Sequence, residues 1–377
     1  MSADRKQGDP RLGSVDALRG IAILLVIHHH MFGGFTPIGW HAPTVAGHPV
    51  PLFAVLANGA YGVNLFFLLS GFVLVLPHVH AQRESLRADE VWRFYRRRAR
   101  RLLPLYYVSV AVAYLAHAGL SWPTRRALRE LALTGTFLFQ FSEGHFFPSF
   151  NPVLWSLAIE ISFSVLLPFL AVTLLRVGAA RVVATAVVVA MLTRWYGTAT
   201  GPSLAIINSA IGRLDDFAVG MAAAAALVRW APPKRALAWI VGGLGILQLG
   251  FMLADSLALS GFTVARAVLP AELVSLGGFV LLRGMLAAEQ TGAPVAPALL
   301  QLIGRMSYSL YLWHLVARDA MFHSADDLTA LWLAAYFILL FSVSALTYRF
   351  VEFGHEPDWR GLFRVRRGGS SRRGTDR

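Results

Sequence analysis

The sequence contains no cysteine and only two lysines, and charged residues make up only 15% of its 377 positions. Without cysteine, a disulfide framework, a thiolate nucleophile and a cysteine metal site are all excluded. A soluble domain carries roughly 25% charged residues. Hydrophobic residues account for 56% of this chain and its mean hydropathy is +0.56. The composition therefore favours a chain embedded in a lipid bilayer.

The formal net charge is +13 and is carried almost entirely by arginine. Basic clusters can indicate nucleic-acid binding, but here they lie between long apolar runs, where they indicate orientation in a membrane. We therefore predict the lipid bilayer, and not nucleic acid, as a partner. The polar N-terminus precedes an apolar run that has no small-residue cleavage site. We expect residues 1–13 to form a retained cytoplasmic lead-in rather than a signal peptide.

The apolar runs predict an all-α integral membrane protein with about ten transmembrane helices around a polar cavity. The predicted spans are 14–35, 59–77, 102–120, 153–175, 182–195, 214–228, 237–254, 264–286, 299–320 and 331–350. The apolar part of 124–141 is shorter than the ~20 residues that a span requires. We interpret it as a re-entrant or outer-surface helix, with an eleventh span as the alternative. The transmembrane domain then covers 14–353, and a basic tail over 354–377 is predicted to be disordered.

Arginine-rich loops predict the orientation of these spans. The strongest signal is 83–101, and a shorter basic loop covers 229–235. With ten spans, both loops and both chain termini lie on the cytoplasmic side, as basic loops prefer. An eleventh span would move the later basic loop outside. We therefore predict a multi-pass protein of the cytoplasmic membrane with cytoplasmic termini.

The first apolar run contains ionisable residues at both ends. Arg19 lies near its start, and three histidines, His28, His29 and His30, lie near its end. Arg19 and His30 are eleven residues apart, about 16 Å along a helix. Ionisable residues inside a span are costly and indicate function, and imidazole suits proton transfer near neutral pH. The alternative is an arginine that snorkels to lipid phosphates, with histidines at the far interface.

Six segments of the chain combine polar or charged residues with apolar runs: SVDALRGIAILLVIHHH, GVNLFFLLSGFVL, RRRARRLLPLYY, NPVLWSLAIEISF, GRLDDF and IGRMSYSLYLWH. Together they resemble the membrane acyltransferase-3 family over nearly the whole chain. The resemblance implies an acyl-CoA-dependent O-acyltransferase of the membrane. Its acceptor would be a hydroxyl of a carbohydrate, glycolipid or natural product, and acetyl is the acyl group usual in the family. Acyl-CoA would be a co-substrate, with no tightly bound cofactor.

The resemblance also implies roles for individual residues. His30 matches the histidine that is the family's proposed catalytic base. Arg98 and Arg101 match an R-x-x-R motif and imply binding of the phosphates of coenzyme A; Arg97 and Arg100 share this spacing one residue earlier. Residues three apart lie on one helix face, and guanidinium groups suit phosphate oxygens. The alternative for these arginines is a positive-inside loop that contacts anionic lipid.

The W-S-L-x-x-E motif places a carboxylate one turn into a predicted span. Because such a group needs a partner, we expect Glu160 to orient His30, to stabilise its imidazolium form or to hold the acceptor. A structural ion pair, for instance with Arg213, is the alternative. For Tyr311 and His314 we expect mainly helix–helix hydrogen bonds, with a place in the donor tunnel as the less favoured interpretation.

These interpretations define the candidate site. The predicted catalytic residues are His30, Arg19 and Glu160, the predicted donor-binding residues are Arg98 and Arg101, and the predicted substrate-binding residues are Trp155, Ser156, Arg213 and Tyr311. Arg19 is too far from His30 to polarise a thioester that lies beside His30. We therefore expect Arg19 to bind the pantetheine arm or the phosphates of coenzyme A. No metal site is predicted, because the three histidines lack the i, i+4 pair and carboxylate of a helical zinc site.

Two other functional classes are compatible with the same pattern. A transporter or flippase of a lipid-linked sugar would use buried charges without thioester chemistry. A non-catalytic membrane scaffold would tolerate changes at His30 and Arg98. Cleavage of labelled acetyl-CoA by the purified protein would separate the enzyme from both.

The predicted orientation can be tested by cysteine labelling, because the natural chain has no cysteine to interfere. Single cysteines at Arg87, Lys234 and the C-terminal tail should react only from the cytoplasmic side. Cysteines at His48 and Ser256 should react only from the outside. An extracytoplasmic tail would show that 124–141 crosses the membrane after all.

Overall fold

The computed structural model describes residues 12–32, 44–45, 48–49, 53–82, 85, 87–118, 124–258, 263–322 and 329–363. Its helices are α1 (Gly13–Phe32), α2 (Ala54–Ala57), α3 (Gly62–Ala81), α4 (Ala88–Ala118), α5 (Arg125–Gly135), α6 (Leu154–Val177), α7 (Ala179–Ala199), α8 (Leu204–Ile207), α9 (Leu214–Arg229), α10 (Ala236–Ala258), α11 (Val264–Gln290), α12 (Ala298–Arg305), α13 (Ser307–Met321), α14 (Ala330–Thr347) and α15 (Trp359–Phe363). Three 3₁₀ turns (Gly59–Tyr61, Leu138–Phe141, Glu143–His145) and a π-helical turn (Tyr348–Glu352) accompany them. Two short strands, β1 (Thr44–Val45) and β2 (His48–Pro49), pair antiparallel.

Seven of the described helices are long and apolar enough to cross a membrane, namely α1, α3, α6, α7, α10, α11 and α14. The predicted class, a helical multi-span membrane protein, is confirmed at this level. The remaining predicted spans correspond to α4, to the sixteen-residue α9 and to the pair α12 and α13. The count of ten and the cytoplasmic position of the termini stay predictions. The lead-in before residue 12 and the tail after residue 363 lie outside the described residues.

The segment 124–141 does not form one continuous spanning helix. Helix α5 has eleven residues, about 16 Å at 1.5 Å per residue, whereas the hydrocarbon core is about 30 Å thick. The hydroxyl of Thr124 caps its start by accepting from the amide of Ala127 at 3.2 Å. At its end Phe137 adopts a left-handed conformation (φ 60°), and the chain continues as a 3₁₀ turn. This agrees with the prediction that the segment is not a full span.

The predicted ninth span, 299–320, is interrupted at Met306, where α12 ends and α13 begins. The structure here differs from the prediction of one continuous helix because α12 is held against α1. A β-carbon on Gly304 would overlap the backbone oxygen of Asp16, so only glycine allows this approach. The guanidinium of Arg305 also donates to the Asp16 carboxylate at 2.8 Å. Beyond the break, α13 also packs against α1.

Helix α3 lies at the centre of the bundle and packs against α1, α6, α9 and α11. Its crossing with α9 depends on two glycines. A β-carbon on Gly71 would overlap the backbone oxygen of Phe217, and one on Gly220 would overlap that of Leu68. Small residues of this kind allow membrane helices to approach closely. This packing places Ser70 of α3 opposite the polar residues of α6.

Candidate active site

An inner cavity of about 70 Å³ lies among α1, α3, α4, α6 and α13. Six of the nine predicted site residues line it: Arg19, Arg98, Arg101, Ser156, Glu160 and Tyr311. Residues from five separate helices, distant in sequence, therefore converge on one polar space. Ser70, Ser307 and Tyr308 add further polar groups to its wall.

Glu160 forms an ion pair with Arg98 across this cavity. An Nη2 atom of Arg98 donates to Oε1 of Glu160 at 2.7 Å, and the hydroxyl of Ser70 donates to the same oxygen at 3.2 Å. The alternative partner considered for Glu160, Arg213, is not the one that the structure provides. The structure also does not bring Glu160 to His30, so the expected orienting contact between the two is not present among the described residues.

Arg101 is held by a second buried carboxylate. Its Nε donates to Oε1 of Glu352 at 3.2 Å, and the other Glu352 oxygen accepts from Ser309 at 3.2 Å. The guanidinium also lies over the ring of Phe353, 5.4 Å from the centroid. The π-helical turn at the end of α14 brings Glu352 to this position. The R-x-x-R pair therefore points into the bundle.

The inner cavity carries more positive than negative charge. Three guanidiniums, those of Arg19, Arg98 and Arg101, line it together with one carboxylate, that of Glu160. Arg19 makes no hydrogen bond or ion pair within the described part of the chain, and Nε of Arg98 is buried without a hydrogen-bond partner there. An uncompensated cation inside a membrane bundle is costly. The cavity is thus suited to bind an anion.

Ser156 and Tyr311 join α6 to α13 at the wall of the cavity. Their hydroxyl oxygens lie 2.6 Å apart, and both hydroxyls also lie within hydrogen-bond reach of the backbone oxygen of Val153, at 3.2 and 3.1 Å. Tyr311 therefore forms the expected hydrogen bonds between helices. It also lines the inner cavity.

His30 lies eleven residues beyond Arg19 on α1 and pairs with a second imidazole. Its Nδ1 is 3.0 Å from the backbone oxygen of Val26 and 3.1 Å from Nε2 of His314. Nδ1 of His314 is 2.7 Å from the backbone oxygen of Tyr311. A carbonyl oxygen can only accept, so both Nδ1 atoms carry the proton. The Nδ1–H of His30 is then shared between the Val26 oxygen and Nε2 of His314. Nε2 of His30 forms no hydrogen bond with a described residue, and its lone pair can take a proton.

The three adjacent histidines have different surroundings. Nδ1 of His28 contacts the backbone oxygen of Leu56, and Nδ1 of His29 contacts that of Ala57, each at 3.2 Å. Both therefore tie the end of α1 to α2. Among the three, His30 is the imidazole that contacts His314. This distinguishes His30 from its two neighbours, and its role as the base stays a prediction.

Trp155 and Arg213 lie away from the walls of the inner cavity. Trp155 packs against the rings of Phe67 and Phe146, with centroids 6.2 and 5.8 Å away. Arg213 donates to the side chain of Asn208 at 2.5 Å and lies 3.9 Å from Asp216. Their predicted substrate-binding roles stay predictions.

Sequence reasoning did not identify the partnership between His30 and His314. His314 is 1% exposed and lies three residues after Tyr311, one turn farther along α13. The signal available was a histidine inside an apolar helix beside a motif tyrosine. Nothing in that signal indicates which of the other helices it would face.

A family model described as an acyltransferase domain matches residues 12–349. A peptidoglycan O-acetyltransferase of Listeria monocytogenes is 30% identical over 165 residues, which cover 41% of this chain and 23% of the relative. A candidate membrane-bound transacylase of Komagataeibacter xylinus is 28% identical over 91% of this chain and 82% of its own. A candidate O-acetyltransferase of Staphylococcus aureus is 24% identical over 90% and 56%.

The chain thus spans about a quarter of the Listeria relative and just over half of the Staphylococcus relative. No solved structure matches it.

Proposed function

Since this chain belongs to the acyltransferase-3 family, we propose that it is a membrane enzyme that moves an acyl group from acyl-CoA to a hydroxyl group. Acetyl is the acyl group favoured, because relatives are named as O-acetyltransferases. The acceptor class proposed is a carbohydrate, a glycolipid or a natural product. The single observation that carries the proposal is the cationic inner cavity. Arg19 lines it without forming an ion pair to any described residue, and it lies on the same helix as His30.

The pyrophosphate of the donor would bind to Arg19, Arg98 and Arg101. Arg19 and His30 are about 16 Å apart along α1. The pantetheine arm of coenzyme A is about half as long as the hydrocarbon core is thick, ~15 Å. With its phosphates at Arg19, the donor would therefore present its thioester near His30. Because ligand cavities typically measure about 300–1,000 Å³, the inner cavity must widen when the donor binds.

His30 would act as the general base. Its Nε2 takes the proton of the acceptor hydroxyl while the hydroxyl oxygen forms a bond to the thioester carbonyl carbon. The tetrahedral intermediate then collapses, and its carbon–sulfur bond breaks. The imidazolium returns the proton to the leaving thiolate. The products are the acylated acceptor and free coenzyme A, and His30 is again neutral.

His314 would position this base. It accepts the hydrogen bond from Nδ1 of His30, so the lone pair of Nε2 stays directed at the acceptor. A carboxylate performs this task for the histidine of a serine-protease triad. Here a neutral imidazole takes that place, and Glu160 instead holds Arg98. Glu160 is therefore proposed to hold a donor-binding residue, and His314 is proposed to orient the base.

The base can be tested because its neighbours provide matched controls. General-base catalysis contributes about 10²–10⁴-fold, so His30→Ala should lose at least a hundredfold in kcat. His28→Ala and His29→Ala should lose far less, since their imidazoles contact the backbone of α2. Cleavage of labelled acetyl-CoA by purified, folded protein measures the effect. Wild-type turnover in His30→Ala would refute the assignment, and an inactive wild type would favour a transporter.

The cationic cavity is best tested at Arg19. Replacing Arg98 or Arg101 would leave Glu160 or Glu352 buried without its cation, which is destabilising in itself. Arg19→Gln leaves no described carboxylate without its ion-pair partner. A charge-assisted contact contributes about 1.5–3 kcal/mol, so the KM for acetyl-CoA should rise about tenfold or more. Arg96→Gln, an exposed position on α4 that lines neither cavity, is the control. Equal KM values in both variants would remove Arg19 from the donor site.

The positioning role of His314 predicts a specific kinetic pattern. His314→Ala should lower kcat by about tenfold, the loss of one hydrogen bond to a charged group, with the KM for acetyl-CoA unchanged. His314→Gln, which can accept through its amide oxygen, should restore part of the loss. If Ala and Gln variants are equally impaired, or if KM rises with them, His314 serves packing alone.

A further inference from the structure

A second, outer cavity of about 320 Å³ lies between the end of α3, the start of α4 and the middle of α6. It is formed by the same three helices that supply Ser70, Arg98 and Glu160 to the inner cavity. Its volume falls within the range of about 300–1,000 Å³ that is typical of small-molecule sites.

The rim of the outer cavity carries a net positive charge. Arg87, Arg93 and Arg97 line it together with Glu90. Asp89 contacts Arg87 at 3.5 Å and Arg93 at 2.8 Å. Arg97 forms no ion pair with any residue that the structure describes. Three arginines against two acids leave an excess of one positive charge, and the unpaired Arg97 is suited to bind a phosphate group.

The floor of the outer cavity is apolar and partly aromatic. Phe94 and Pro168 are buried there, and the rings of His78 and Phe94 meet edge to face with centroids 6.4 Å apart. A flat, apolar surface beneath a cationic rim suits a planar base that carries phosphate. An anionic lipid headgroup would use the rim but would leave this floor without a matching group.

The two cavities are aligned along the three helices. The steps from the inner to the outer cavity are Ser70 to His78, Glu160 to Pro168 and Arg98 to Glu90. Each step is eight residues, about 12 Å along a helix axis. The consecutive residues Arg97 and Arg98 line the outer and the inner cavity respectively. A ligand with two separate anionic groups could therefore occupy both cavities.

From this alignment we infer that the outer cavity binds the adenosine 3′-phosphate end of the acyl-CoA donor, with the pyrophosphate at the inner cavity. The inference rests on the proposed function and extends it. The adenine lies on the Phe94 and Pro168 surface, and the 3′-phosphate contacts Arg97 at the rim. Arg97 then contacts the 3′-phosphate and Arg98 contacts the pyrophosphate of the same molecule.

The test uses purified protein in phosphatidylcholine nanodiscs and adenosine 3′,5′-bisphosphate as the probe. Calorimetry should detect its binding to the wild type, and Arg97→Gln should weaken that binding about tenfold or more, as expected for a charge-assisted contact. Arg96→Gln, an exposed arginine on the same helix that does not line the cavity, should keep wild-type affinity. Equal affinity in the wild type and Arg97→Gln would overturn the inference.

Two further arms separate the alternatives. If phosphatidylglycerol in the nanodisc abolishes bisphosphate binding to the wild type, the cavity is a lipid site and the inference fails. With donors, Arg97→Gln should raise the KM for acetyl-CoA but not for acetyl-4′-phosphopantetheine, which lacks the nucleotide; an equal rise for both donors would contradict it. Should neither donor be used by the wild type, the proposed function fails, while the calorimetry still decides what the outer cavity binds.

Discussion

A charge inside a membrane-spanning bundle needs a partner within the protein, because lipid offers neither an opposite charge nor a hydrogen bond. In this structure the pair of Arg98 and Glu160, 2.7 Å apart, meets that constraint and joins α4 to α6. Arg101 and Glu352 meet it a turn farther along α4. These pairs hold Arg98 and Arg101 of α4 inside the bundle. Arg19, unpaired among the described residues, then makes the enclosed space cationic.

Two neighbouring helices connect this cationic space to the candidate base. Helix α1 carries Arg19 and His30, about 16 Å apart. Helix α13 packs along α1 and carries Tyr311 at the cavity wall and His314 beside His30. Arg19 of the anion site and the candidate base therefore lie on one rigid helix, and α13 contacts both ends of the path between them. A ligand that reaches from Arg19 to His30 meets a fixed distance, which can select the length of a donor.

The sequence predicted much of this arrangement where the signal lies within one helix. The span class follows from apolar runs, and Arg19, His30 and the Arg98–Arg101 pair follow from motif spacing. The partners were less predictable, because they depend on how separate helices rotate against each other. Glu160 pairs with Arg98 rather than with His30, and His30 pairs with His314, 284 positions away. The break at Met306 likewise depends on the contact of Gly304 with Asp16 on α1, which spacing within one segment does not encode.

One donor molecule is proposed to connect Arg19 to His30. The decisive measurement is a structure of the protein with an acetyl-CoA analogue whose thioester sulfur is replaced by a methylene group. We expect its pyrophosphate to lie against Arg19. We also expect a gap between the acetyl carbonyl and His30 that fits one hydroxyl oxygen, placed about 2.6–3.2 Å from Nε2 of His30. Phosphates bound away from Arg19, or an acetyl group that does not reach the His30 end of α1, would show that the donor does not connect the two residues.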